Sequence, residues 1–222
     1  MDASGHGGAP EPIRESKVIL AEGVDAKLFL TSACRAYGAD GIEVRDFGGN
    51  AQLRPAIRAL KLTTGFGQVR CLVVARDAES NADAAMDSVA DALAHVGLPR
   101  PTEPFSFASG TDEEQPRTAI MIFPGSEAAD GERWVLKNGT LEDLCLATVP
   151  DSDAVLTCVD EYLKCVRKIP GDPPDATKSR LHAYLSGKAG LAGLKLGEVT
   201  KAKAWDLEHP ALTPFKSIIQ HM

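Results

Sequence analysis

The sequence predicts an α/β fold: a mostly parallel sheet flanked by helices, followed by a helical C-terminal extension. Three observations carry this. Val18–Ala21 and Leu72–Ala75 are continuous apolar runs of strand length, the pattern of strands buried on both faces, the latter within a third strand over Val69–Ala75, and Thr118–Phe123 reads as a fourth strand. Segments with helical periodicity separate them, as βαβ units require. Past Gly139 the strand signal stops and only helical patterning continues.

Taken in order, residues 1–15 are rich in Gly, Pro and charge and are expected to form a disordered tail. Val18–Ala21 is the first strand. A helix from about Val24 to Tyr37 follows, with Leu30, Ala33, Cys34 and Tyr37 on one face and Gly38 as its stop. Ile42–Phe47 supplies the second strand. Gly48-Gly49-Asn50 then turns into a helix capped by Asn50, with Leu53, Ile57 and Leu60 inward. After the third strand, Asn81 opens a helix with Met86, Val89, Leu93 and Val96 at helical spacing, ended by Gly97. Pro124-Gly125 closes the fourth strand. The α/β domain is placed at 16–139 and the extension packed on it at 140–222.

In the extension, Thr140 and Asp143 have the spacing of a helix cap. Asp151–Ile169 is an amphipathic helix with Val155, Val159, Tyr162, Leu163 and Val166 on one stripe. Gly171-Asp172-Pro173-Pro174 breaks it. Further helices are expected over Asp175–Ser186 and, more weakly, Leu196–Ala204, with a short docking helix in Trp205–Met222.

Composition bounds the partners. The chain has 222 residues, 24 Lys or Arg and 31 Asp or Glu, giving a net charge of −7. That balance argues against a dedicated nucleic-acid coat or a membrane-surface protein, though not against a local basic groove. No apolar run reaches membrane-spanning length, and Met1–Glu15 lacks a signal-peptide core. The five cysteines form no CxxC pair, which is the pattern of reduced thiols in a cytoplasmic protein.

Chemistry enters at two strand ends. Glu22-Gly23 follows the first apolar run, and Arg76-Asp77-Ala78-Glu79 follows the third. In an open α/β sheet the ligand crevice lies just beyond the carboxyl ends of the strands. Glu22, Asp77 and Glu79 should therefore converge at one edge. Converging carboxylates repel one another unless a cation lies between them, which suggests a Mg²⁺ (or Mn²⁺) site. A plainer account of Glu22 is an acid favoured by a helix N-terminus. A plainer account of Asp77-Ala78-Glu79 is an acidic turn before a helix.

Glu-Gly after an apolar strand, then a helix, then Asp-x-acid after a later strand, resembles the TOPRIM domain of topoisomerases, primases and OLD-family nucleases. Val18–Phe29, Asp46-Phe47-Gly48-Gly49-Asn50, Arg76-Asp77-Ala78-Glu79 and Lys203-Ala204-Trp205-Asp206-Leu207-Glu208-His209-Pro210 resemble more closely the bacterial DUF3226 family, grouped with TOPRIM-like and OLD-type proteins. The resemblance implies a TOPRIM-like, Rossmann-like fold. It also implies that Asp77 and Glu79 bind Mg²⁺ and that Glu22 joins the metal shell or acts as a general acid or base. Two departures stand out. Glu79 replaces the usual second Asp, and Arg76 is a cation where apolar residues are common, suited to hold a phosphate or to neutralise the acidic cluster. OLD-type relatives also place later acids and a lysine near the metals. Glu142 and Asp143 are the candidate acids, with helix capping as their alternative. Asp25 is a candidate supporting residue, or else an acid of the helix's first turn. Lys178 is a candidate phosphate contact, or else a solvated helix lysine.

Residues 161–203 hold nine Lys or Arg against four Asp or Glu, which could line a basic wall beside the acids. The resulting expectation is metal-assisted hydrolysis of a DNA or RNA phosphodiester. Two alternatives stand beside it: a non-catalytic module binding nucleic acid or a protein partner, homodimer included, and a small-molecule phosphatase or receiver-like phosphate-handling domain.

Overall fold

The computed structural model of the chain describes residues 11–112, 114–129, 133–171 and 176–222. Its central sheet contains β1 (Lys17–Ala21), β2 (Ile42–Asp46), β3 (Cys71–Asp77) and β4 (Arg117–Phe123) in the order β2-β1-β3-β4, all parallel. β1 is paired on both sides, Lys17 with Ile42 and Cys71, Ala21 with Asp46 and Ala75. The apolar runs end up here because a parallel strand with helices on both faces has no solvent side.

Helix placement follows the direction of winding. From β1 the chain moves to one edge for β2, then returns past β1 to β3 and β4. Right-handed crossovers therefore place α1 (Gly23–Ala36) on one face and α2 (Leu53–Leu62) and α3 (Ala82–His95) on the other. Side chains divide accordingly. Ile19, Ala21, Val73, Ala75, Met121 and Phe123 face the α1 layer. Val18, Leu20, Leu72, Val74, Ile120 and Ile122 face the α2–α3 layer.

The helical extension covers the α1 face. It comprises α4 (Leu141–Ala147), α5 (Ala154–Val166), α6 (Ala176–Ser186), α7 (Leu196–Lys201) and α8 (Thr213–His221). Their buried residues join α1 and the sheet in one apolar cluster. Phe215 of α8 anchors the arrangement: its ring stacks on Phe123 at 5.2 Å and meets Phe105 edge-on at 4.9 Å. Cys34, Cys71 and Cys145 are buried, while Cys158 and Cys165 are exposed.

Three features differ from the expectations. Of the expected tail, residues 1–10 lie outside the described residues, but Ile13 is buried and donates its N–H to Thr64 O at 2.8 Å. One apolar residue in a polar stretch gives no periodicity, so its anchoring was not readable. A short antiparallel pair, β5 (Ser126–Ala129) and β6 (Arg133–Leu136), follows β4 in a stretch to which the residue pattern assigned no element. Finally, the buried stripe of α5 is Leu156, Val159 and Leu163, and Tyr162 lies outside it. Asp172–Asp175 of the expected helix break lie outside the described residues. Among the described residues no helix is long and apolar enough to cross a membrane.

Helix α7 lies close against α1 because Gly197 has no side chain. A Cβ there would meet Leu28 Cβ at 2.6 Å and Cδ1 at 2.7 Å. Alanine is the better helix former by about 1 kcal/mol, but overpacking costs about 1–3 kcal/mol. Gly197→Ala is expected to lower stability by roughly 1 kcal/mol in urea unfolding, against its helix propensity.

Candidate functional site

Strand order places the crevice. Successive connections leave β1 toward β2 and later enter β3 on its other side, so the topology switches between β1 and β3. Glu22 is the residue after β1, and Asp77 ends β3. The main chain holds them together: Glu22 N–H donates to Ala75 O at 2.9 Å, and Asp77 N–H donates to Glu22 Oε2 at 3.3 Å. The two acidic strand ends thus meet at one edge of adjacent strands.

The segment from Asn138 to Leu141 then clamps the turn after β3. Asn138 Oδ1 accepts the Ala82 N–H at 2.9 Å, at the start of α3. Gly139 and Glu79 exchange both main-chain hydrogen bonds, each at 2.8 Å. Leu141 N–H, at the start of α4, donates to Asp77 Oδ1 at 2.8 Å. Glu79 adopts φ 54°, the left-handed region that disfavours a side chain. Gly139 is required in its place: it has φ +134°, and a Cβ would lie 2.7 Å from Asp143 Oδ2. Held strain of this kind clusters at functional sites.

The structure sorts the remaining candidates. Arg76, only 4% exposed, places Nε 3.6 Å from Glu22 Oε2. It therefore neutralises the acidic cluster from within. Glu142 faces Asp77 closely enough to raise its pKa. Asp143 instead completes the capping box of α4, accepting from Thr140 N–H at 2.8 Å, and also takes the Thr177 hydroxyl at 3.2 Å. Asp25 Oδ1 accepts the Gly197 N–H at 3.0 Å and so ties α1 to α7. Lys178 is exposed on α6. Of the basic residues counted in 161–203, Arg180 pairs with Asp160, Lys188 with Asp153 and Lys164 with Glu161.

Two main-chain donors also reach the site. Asn50 donates its N–H toward the Glu22 carboxylate, which brings the Gly48–Asn50 turn to the crevice. Leu141 contributes only its main chain, and a main-chain donor leaves no residue-type signature.

Burial is the largest electrostatic influence. It pushes the Asp77 carboxyl up to about 7; the Leu141 N–H opposes this, and Glu142, Glu22 and Glu79 add to it. Glu22 is also raised, by burial first, against Arg76 and the Asp77 N–H. Behind them Cys145 is fully buried, and its thiol is held well above its ordinary value by burial and by Glu142, Asp25 and Asp77. Among the described residues no three His, Cys, Asp or Glu side chains are gathered as a ready ligand set. Glu22 is instead engaged by Arg76 and the Asp77 N–H, and Asp77 by the Leu141 N–H. The donor chemistry nonetheless fits a hard divalent cation: carboxylate oxygens, one of them carrying an unfavourable buried charge.

The fold and crevice define a doubly wound α/β protein with a carboxylate-lined switch point. Over residues 16–222 the chain matches the family described as "Protein of unknown function (DUF3226)", and it belongs to that family. Among solved structures it is similar to the C-terminal region of the OLD protein of Xanthomonas campestris pv. campestris, at 13% identity and a TM-score of 0.36, covering 94% of this chain and 86% of that one. No curated protein matches it.

Because the Asp77 carboxyl lies above its ordinary value of 3.8, folding favours its protonated form. Stability is then greatest at low pH and falls as pH rises through about 7. Asp77→Asn keeps the acceptor for Leu141 and removes the charge. In chelator, the variant should melt higher than wild type at pH 8, by at most about 4 kcal/mol at 1.4 kcal/mol per pH unit, and the advantage should vanish near pH 4. Thermal melts at the two pH values check it.

Proposed function

We propose that this protein is a TOPRIM-like, Mg²⁺- or Mn²⁺-binding protein that hydrolyses nucleic-acid phosphodiester bonds. The observation that carries the reading is the meeting of Glu22 and Asp77 at the switch point, with Glu142 and Glu79 acting electrostatically on Asp77. Gathering acids around the partly buried Asp77 and Glu22 is costly, and a stability-driven sequence would replace them.

Asp77, Glu79 and Glu142 would hold the cation. Bound there, it would stabilise the charge that develops on phosphoryl oxygens during in-line displacement. The protein's own groups do the remaining work. Glu22, its pKa raised by burial, is placed to accept or return a proton. Its hydrogen bond from the Asp77 N–H fixes its orientation. Arg76 balances the charge of Glu22 and is positioned to meet a phosphate when Glu22 turns away. The exposed lysines of the extension, Lys178 among them, supply positive charge for a strand's backbone.

A second reading, a non-catalytic module that binds nucleic acid, is favoured by one observation: Glu22 is already engaged by Arg76. One experiment separates the two. Wild type, Asp77→Ala and Glu22→Gln are incubated with mixed DNA and RNA in Mg²⁺ or Mn²⁺, and cation binding is followed by calorimetry. Hydrolysis predicts cation-dependent cleavage reduced at least about 100-fold in both variants, with cation binding lost in Asp77→Ala. Nucleic acid retained without turnover supports the second reading. Release of phosphate from simple esters alone would point to a small-molecule enzyme, and a wild type that binds no divalent cation would sink the proposal.

A further inference from the structure

Helix α5 carries two apolar stripes, and the core uses one. Leu156, Val159 and Leu163 are buried against the rest of the extension. The second stripe is Val155, Cys158, Tyr162, Cys165 and Ile169, stepping by three, four, three and four residues. Cys158 and Cys165 are exposed, Tyr162 is 58% exposed and Ile169 66%. Isolated exposed apolar residues need no explanation. A row at alternating three- and four-residue steps is different, because that spacing keeps one seam facing a second helix. Beside the row lies a groove of about 430 Å³ between α5 and α6, floored by Val155, Val159, Ala183 and Gly187. It is large enough to receive an aromatic side chain, and an exposed tyrosine is among the residue types that anchor interfaces.

Charge identifies the occupant. Along α5, Asp160 (paired with Arg180) and Glu161 come first and Lys164 follows, with Arg167 and Lys168 in the turn just past the helix end. Laid antiparallel, two such helices set the acidic half of one against the basic half of the other. Laid parallel, they set like against like. An antiparallel pair of identical helices is what a twofold axis across the helix generates. The charge order also suits the dipole of α5, but the dipole does not account for the apolar row beside it. The Glu161–Lys164 pair within the chain is exposed on both sides and so contributes little. Both groups can change partners at small cost.

We propose that the Val155–Ile169 face of α5 is a self-association surface. A second copy of this chain packs its own α5 antiparallel across a twofold axis, the Tyr162 of each copy lying along the seam of the other and the acidic stretch of each facing the basic stretch of its partner. Cys158 and Cys165 serve as small apolar seam residues.

The test is sedimentation equilibrium of the full chain in reductant. Wild type is expected to show a monomer–dimer equilibrium built on the 23.5 kDa chain. Tyr162→Glu should raise the dimer Kd at least about tenfold without changing circular dichroism or melting midpoint, since the side chain is exposed. Should that variant melt early, Cys165→Asp on the same row takes its place and must show the same effect. Glu161→Lys and Lys168→Glu should each weaken the dimer, and together restore it toward wild type. A wild type that stays monomeric at every soluble concentration overturns the proposal. So does a dimer whose Kd neither seam variant moves, or a double charge reversal weaker than both single ones.

Discussion

The crevice depends on one set of contacts: the grip of Asn138–Leu141 on the turn from Asp77 to Ala82. Four hydrogen bonds, to Ala82, to both main-chain groups of Glu79 and to the Asp77 carboxylate, join the end of β3 to the start of the extension. Without them, Asp77 would lose its main-chain donor, and nothing described would hold Glu79 in the left-handed region. The grip also explains why sheet and extension share one apolar cluster. The extension begins at the site, so its burial against the α1 face is coupled to the geometry of the acids.

Alternation along β3 then divides the site in two. Arg76 points to the side of Leu72 and Val74, where Glu22 meets it, while Asp77 points to the side of Val73 and Ala75, toward α4. Each half is provisionally satisfied: Glu22 by a guanidinium, Asp77 by an N–H and by a carboxyl that keeps its proton to about 7. The acids can therefore coexist without a cation while remaining costly. A site that must fold before it is loaded needs this compromise. Full neutralisation would leave no affinity for a cation, and none would leave no folded state.

The sequence made legible those features that a residue-type pattern can carry. Apolar runs marked the buried strands, β-branched and aromatic residues marked β2, and helical spacing marked the order of the helices. The convergence of Glu22 and Asp77 followed from strand order, because chain alternation already implies a switch point beside the first strand. What remained hidden depends on tertiary choice. Glu142 and Asp143 are adjacent acids, and only the direction in which α4 enters decides that one faces Asp77 while the other caps its own helix. Asp25 looked like a supporting acid from its distance to Glu22, but α7 supplies a closer N–H from the far end of the chain. On α5 an apolar pattern with two stripes cannot say which is core, and the choice fell on Leu156 rather than Tyr162.

Arg76 sets the terms on which a cation could enter. A guanidinium buried to this degree beside a carboxylate is not readily removed, since breaking a buried pair leaves an unpaired charge at a cost of about 3–5 kcal/mol. A monovalent cation offers Glu22 little more than the arginine already does. A divalent cation shared with Asp77 offers twice the charge and relieves the buried carboxyl as well. On the proposed reading, the internal arginine would raise the threshold for occupancy and favour divalent over monovalent ions. If, on the proposed reading, Glu22 turned to the cation, the buried Arg76 would be left with its charge uncompensated, and an incoming phosphate would be a replacement partner. On this argument the departure of Arg76 from the usual apolar residue does not spoil the acidic crevice. If the proposed cation and phosphate bind here, it would make their entry depend on each other.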